Sequence, residues 1–271
     1  MERIHKFRSI ISRNLRNRLA RQETLRQSAK AMMLYRIAIT RKLRTRLSGR
    51  SRIPSSCQIK DILKKYEQLS LDPRNGVFVE VGGFDGETYS NTSFLADQGW
   101  RGVYVEPIPM FCAHIRRRHL FNPVVVECAA VGTTDGTTML KVMGHLSTLH
   151  METFETMRDI DWASDLAETA KEIIVKTRRI DDILERNAVP KSFDLMIVDV
   201  EGGEDAVIIP LLQSKWRPRV LIVELCDVNP SFEINEFLVS NHKYLRETIL
   251  SYGYSEFHVD QTNTIFQHQA T

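Results

Sequence analysis

Asp199 and Glu201 stand two residues apart in Asp199-Val200-Glu201-Gly202-Gly203-Glu204, at the end of the apolar run Asp194–Val200. At positions i and i+2 of a strand their side chains would share a face. Such a pair can accept the proton of a hydroxyl nucleophile, orient it, or bind a divalent cation. Glu224 ends a second run, Val220–Leu225, and offers the same chemistry. Glu106 ends a third, Val103–Glu106, and Pro107 stops the strand there. It follows by 20 residues the last glycine of Glu80-Val81-Gly82-Gly83-Phe84-Asp85-Gly86. A glycine turn after a strand, with a carboxylate about 20 residues on, is the spacing that holds ribose hydroxyls. His145, in the loop Val142–Thr148, reads either as a general base near neutral pH or as an exposed loop histidine.

The turn carries Glu80, Asp85 and Glu87, and no Lys or Arg lies between Arg74 and Arg101. A pyrophosphate would be repelled by that field, whereas a nucleoside with a cationic tail would be drawn in. S-adenosylmethionine, with a ribose diol, an ammonium and a sulfonium, matches these requirements. The residues therefore favour a methyltransferase over a dehydrogenase.

These groups need a scaffold that gathers strand ends. From Gln58 onward the pattern alternates: helix at Ile59–Leu69, strand at Val77–Val81, helix near Thr92–Gln98, then Val103–Glu106 and a helix at Pro109–His119. Strands are expected at Val124–Cys128, Thr137–Val142, Ile173–Arg179, Asp194–Val200 and Val220–Leu225, with an edge strand at Thr264–Gln267. Helices are expected at Asp181–Arg186, Glu204–Leu212 and Asn241–Tyr252, whereas Glu152–Lys171 reads as a polar, irregular insertion with Trp162 as a stacking platform. His114 and His119, beside three arginines, read as surface. Near-continuous Val/Ile strands with crossover helices make a mainly parallel, doubly wound sheet, whose ligands sit outside the carboxyl ends of its strands.

The net charge of +3 hides two segments. Residues 1–52 hold 16 Lys or Arg against two acids, a net +14, and the remainder carries −11. Ile4, Phe7, Ile11 and Leu15 follow helical spacing, so residues 1–54 are expected to be a basic helical arm and linker, and 55–271 the globular domain. An arm of this kind suits an anionic membrane surface, a protein partner, nucleic-acid phosphates or a mitochondrial transit peptide. The four cysteines include no CxxC pair, which argues against a zinc site or a disulfide framework and for a reducing intracellular location, cytoplasmic or peripheral to a membrane. No dedicated metal site is expected.

Glu80–Gly86, Ser90-Asn91-Thr92, Gly99-Trp100-Arg101-Gly102, Glu106-Pro107, Ala129-Ala130-Val131-Gly132 and Asp199–Glu204 occur in that order. This set, spanning roughly Val77 to Phe266, resembles the FkbM family of S-adenosylmethionine-dependent methyltransferases. The resemblance implies a Rossmann-like class I fold. It implies that Glu80, Gly82, Asp85 and Gly86 lie along the methionine and ribose of the cofactor, that Glu106 holds the ribose, and that Ala129 and Ala130 flank the adenine. Asn91 would line the same pocket, unless it caps the next helix, a role open equally to Ser90 and Thr92. Ile197 stands where the family often has Lys, and Gly83 and Gly203 where Ala is commoner. The implied activity is O-methylation of a sugar, glycan or other small hydroxylated molecule. An RNA methyltransferase gripping phosphates through the arm, and a non-catalytic subunit of a larger assembly, are the alternatives.

Overall fold

The computed structural model describes residues 52–269 continuously and part of a helix within 36–48. The stripe expected from Ile4 to Leu15 lies outside the described residues.

Seven strands form one sheet in the order β3-β2-β1-β7-β8-β10-β9. Its parallel part comprises β1 (Val77–Val81), β2 (Arg101–Val105), β3 (Val124–Glu127), β7 (Ser192–Val198) and β8 (Arg217–Glu224). Only β10 (Asn263–His268) is reversed, pairing antiparallel with β8 and with β9 (Tyr254–Val259). This is the mainly parallel, doubly wound architecture expected from the sequence. Chain order leaves β1 between β2 and β7, so the sheet reverses its winding beside the glycine turn. Such a switch point opens a crevice.

Both faces of the sheet are covered because each presents a patch of buried apolar side chains. Val79, Val81, Met196, Val198 and Val223 pack against α6 (Ile180–Arg186), α7 (Glu204–Gln213) and α8 (Glu236–Ser251). On the other face Phe78, Tyr104, Leu195 and Ile222 meet α1 (Ile62–Gln68), α2 (Ser93–Gln98) and α3 (Pro109–Arg118). Phe78 and Tyr104 are fully buried and meet edge-to-face with ring centroids 5.3 Å apart. A second sheet, β4-β6-β5, places β6 (Lys171–Arg178) between β4 (Ala130–Val131) and β5 (Gly136–Val142).

Five expectations need correction. Glu152–Lys171 is not irregular: it contains α4 (Met151–Asp159) and α5 (Asp161–Glu168), whose Phe154, Met157, Ile160 and Ala163 pack on Cys226, Phe232 and Leu238. Trp162, 56% exposed, is outside the cavity lining described below, so it is no platform there. Thr264–Gln267 belongs to an inner strand, because β9 occupies the edge. Cys112 and Cys128 form a disulfide, their Cα atoms 6.0 Å apart, since α3 folds back along β3 and brings positions 16 residues apart together. Finally, His119 is buried, sheltered by Tyr104 and bonded through Nε2 to the carbonyl of Gly86 at 3.0 Å. Burial, followed by the nearby Arg118 charge, lowers its pKa to about 3.

Candidate active site

Beyond the ends of β1, β2 and β7 lies a cavity of about 430 Å³, bounded on its far side by the second sheet. That volume is within the usual range for a small-molecule site. Its floor is the meeting of two turns. Gly82, at φ 91°, passes the Asp199 backbone so closely that a Cβ there would stand 1.6 Å from the Asp199 carbonyl oxygen. Asp199 N–H donates to the Val81 carbonyl at 3.0 Å, and Gly82 and Gly83 both donate to the carbonyl of Val105. The glycine is needed for this close approach, in a left-handed conformation that side chains resist.

Glu106 is 4% exposed at the end of β2. One of its oxygens accepts from Phe84 N–H at 3.0 Å and the other from Ile108 N–H at 2.8 Å. The two backbone donors fix the carboxyl between the glycine turn and the start of α3, facing the cavity. Burial pushes its pKa up to about 8, against the pull of those two hydrogen bonds. Glu80, 5% exposed, is also pushed to about 8, by burial first and by the charge of Asp199 as well, despite hydrogen bonds from Thr92 and Ser90. The acid field of the turn is thus weaker than composition suggests. Glu87 is paired besides, with Arg118 and, at 2.9 Å, with Arg41 of the arm.

Asp199 and Glu201 come together by a route different from strand alternation. β7 ends at Val198, and Glu201 lies in a tight turn at φ 57° with Gly202 at φ 99°. Glu204, in the first turn of α7, accepts from Val200 N–H at 3.1 Å and from Gly202 N–H at 3.2 Å. His242 of α8 braces it, accepting Cys226 N–H at Nδ1 and donating from Nε2 to Glu204 at 3.0 Å. Burial opposes ionisation of Glu204, but these donors hold its pKa below the ordinary value.

The turn carries Asp199 and Glu201 toward Glu224, and one oxygen of each lies within 4.8 Å of the others. Burial, then the charge on Asp199, raises the pKa of Glu201 and of Glu224 well above the ordinary carboxylate range. One Glu224 oxygen, Oε2, is buried without a hydrogen-bond partner among the described residues. The grouping of the three matches the donor set a divalent cation takes.

Glu80, Gly82, Asn91, Glu106, Ala130, His145, Asp199 and Glu201 all line the cavity. Asp85, Gly86, Ala129 and Glu224 do not. Asp85 turns back to accept from Glu87 N–H and Thr88 N–H, closing the glycine turn. The side of Gly86 where a Cβ would stand faces Ile115 and His119, and Ala129 is buried beside Ala130. Asn91 does not cap α2: Thr92 holds the cap position without a side-chain cap bond, Ser90 Oγ accepts from Ser93 N–H at 3.0 Å, and Asn91 faces Gln58. Exposed His145 sits against Tyr89, ring centroids 5.1 Å apart, and desolvation lowers its pKa. Among the lining residues that the sequence did not reveal are Gln58, Ile108, Phe111 and His150. Ile108 and Phe111 could be found by reading one helical turn past Glu106-Pro107; Gln58 and His150 carry no such signal.

The chemistry of this donor set fits S-adenosylmethionine. Glu106 presents fixed acceptors for a ribose diol, Ile108, Phe111 and Ala130 make an apolar wall for a base, and Glu80, Asp199 and Glu201 offer acids to a cation.

A family model described as the methyltransferase FkbM domain matches residues 80–256. No curated protein matches the chain. Among solved structures, the O-methyltransferase from Bacillus cereus in complex with SAH is 16% identical, with a TM-score of 0.44 over 86% of this chain and 90% of that one. SAH-bound Podospora anserina methyltransferase is 11% identical, with a TM-score of 0.42 over 86% and 88%. The Methanococcus jannaschii fibrillarin pre-rRNA processing protein is 9% identical, with a TM-score of 0.42 over 73% and 68%. On a match covering most of its globular part, the chain belongs to the FkbM methyltransferase domain family and is an S-adenosylmethionine-dependent methyltransferase.

Proposed function

We propose that the protein methylates a hydroxyl of a sugar, a glycan or another small hydroxylated molecule. The observation that carries this reading is the placement of Asp199 and Glu201 on the same cavity wall as the glycine turn, within reach of Glu224. The cofactor supplies an electrophilic methyl on a sulfonium, which leaves as a neutral thioether. Glu106 would hold the ribose, and Ile108, Phe111 and Ala130 would hold the base. Asp199 orients the acceptor hydroxyl and takes its proton as the new C–O bond forms. Burial raises the pKa of Glu201 and of Glu224 beside it, which disfavours three charges in one place. Alignment of nucleophile and methyl supplies most of the acceleration, and the base adds roughly 10²–10⁴-fold.

Residues 53–271 carry a net −11, which opposes the phosphates of RNA. For the arm we propose contact with an anionic membrane surface. The deciding experiment incubates the protein with methyl-labelled S-adenosylmethionine and fractionated lysate, with and without Mg²⁺. Label in the glycan or small-molecule fraction, at an alkali-stable ether, is the expected outcome; label in RNA would overturn the reading.

A further inference from the structure

Gln58 precedes α1 and lies outside the residues that match the family, yet its side chain lines the cavity. It spans two groups of the site. Nε2 donates to Asp199 Oδ2 at 3.2 Å, and Oε1 accepts from Asn91 Nδ2 at 3.3 Å. The direction of this chain of amides is fixed by a donor that cannot be inverted. Ile59 N–H points at Asn91 Oδ1, 3.3 Å away, and the Cys57 thiol reaches the same oxygen at 3.2 Å. Asn91 must therefore turn its NH₂ to Gln58, and Gln58 must turn its own NH₂ to Asp199. Asn91 is 2% exposed and its carbonyl accepts from the Tyr66 hydroxyl at 3.0 Å, so the anchor is rigid. At the other end stands a carboxylate whose neighbours Glu80, Glu201 and Glu224 are all acids. A neutral donor held in place from outside that group relieves the crowding and sets where the Asp199 oxygens point.

We propose that Gln58 is a positioning residue for methyl transfer, its amide holding the Asp199 carboxylate toward the sulfonium end of the bound cofactor. The proposal rests on the reading above that Asp199 faces the transferred methyl. The segment before the family domain is then part of the site, and Ser56 secures it by accepting Tyr89 N–H at 3.2 Å.

The test compares affinities for S-adenosylmethionine and S-adenosylhomocysteine, which differ in the sulfonium charge. Calorimetry on the full-length protein would use Gln58→Met, which keeps the length of the side chain, Gln58→Ala, and Asp199→Asn as the reference, each checked by thermal melting. Both Gln58 variants are expected to lose about fivefold or more of the preference for the charged ligand, with S-adenosylhomocysteine affinity kept within about twofold, the pattern of a displaced charge. Equal weakening of both ligands would mean packing alone and would overturn the proposal, as would an unchanged preference in Gln58→Met. If Asp199→Asn itself keeps the preference, the placement of Asp199 at the methyl falls, and this proposal with it.

Discussion

The carbonyl oxygen of Asp199 occupies the space that a side chain at Gly82 would need, 1.6 Å from the position of its Cβ. One glycine thereby couples the cofactor turn to the turn that presents the carboxylates. Gly82→Ala must separate β1 from β7 at their functional ends and also strain φ 91°, at a cost of about 3 kcal/mol or more. The expected result is a chain that melts much lower than the unsubstituted protein and no longer binds S-adenosylmethionine. Normal melting with normal binding would contradict the geometry.

Glu106 is the acceptor held by two backbone donors, so its loss acts twice. Glu106→Ala removes the ribose partner and leaves Phe84 N–H and Ile108 N–H unpaired, each at about 1–3 kcal/mol. Cofactor affinity measured by calorimetry should fall at least 10-fold, a difference of about 1.4 kcal/mol. Glu106→Gln still offers one oxygen and should lose less. Equal affinity in all three proteins would remove Glu106 from the site.

The strands that carry the site were legible because β1, β2, β7 and β8 each hold a short apolar run rich in Val, Leu or Ile that gives way at once to an acid or a glycine. Strand β9 escaped because Ser255, Glu256 and His258 dilute its apolar positions, as an edge strand permits. Helices α4 and α5 were missed although Phe154, Met157, Ile160, Ala163 and Ala167 recur at three- and four-residue steps, the signal that finds them. The three carboxylates were named from strand ends, but their approach depends on the left-handed turn at Glu201, which no propensity announces. Gln58 and the Cys112–Cys128 bridge are matters of tertiary placement. Neither has a local pattern to read.

Stability of the unliganded protein should fall as pH rises from about 5 to about 8. Glu80 and Glu106 release their protons near pH 4.5 when unfolded but only at about 8 when folded. Between those values the folded state binds more protons, so each rise in pH favours unfolding. Below the unfolded pKa their contribution is present in full. Urea titrations at pH 5.5 and pH 8 would show a lower midpoint at the higher pH, and Glu80→Gln, which cannot ionise, would flatten the difference. A midpoint that rises over this interval would refute the assignment.

The Cys112–Cys128 bridge ties α3, which supplies Phe111, to the chain just before Ala130, and both residues line the cavity. Closing a loop of this length stabilises a chain by about 3 kcal/mol in the entropic account. Cys128→Ser, or full reduction of the unsubstituted protein, should therefore lower the melting temperature and weaken S-adenosylmethionine binding several-fold. Melting curves that coincide with and without reductant would show that the bridge does not form in solution.

The arm should matter for location and little for cofactor binding. Its described contacts with the body are the pair between Arg41 and Glu87, both about one-third exposed, where an ion pair contributes little, and the linker at Ile53 and Pro54, packed beside α1. Removing residues 1–51 leaves Ile53, Pro54, Ser56 and Gln58 in place and takes away only the surface pair, so calorimetry on the Arg52-onward protein should return a cofactor affinity within about twofold of full length. The +14 charge of the first 52 residues is a different matter. Each basic group near an anionic bilayer adds on the order of 1 kcal/mol, and partial engagement of such a segment suffices for pelleting with vesicles. Full-length protein should sediment with phosphatidylserine vesicles and not with phosphatidylcholine vesicles. That sedimentation should fade as salt shortens the Debye length from about 10 Å at 0.1 M to about 3 Å at 1 M. Equal pelleting of the truncated chain, or sedimentation indifferent to salt, would assign the contact to the body instead.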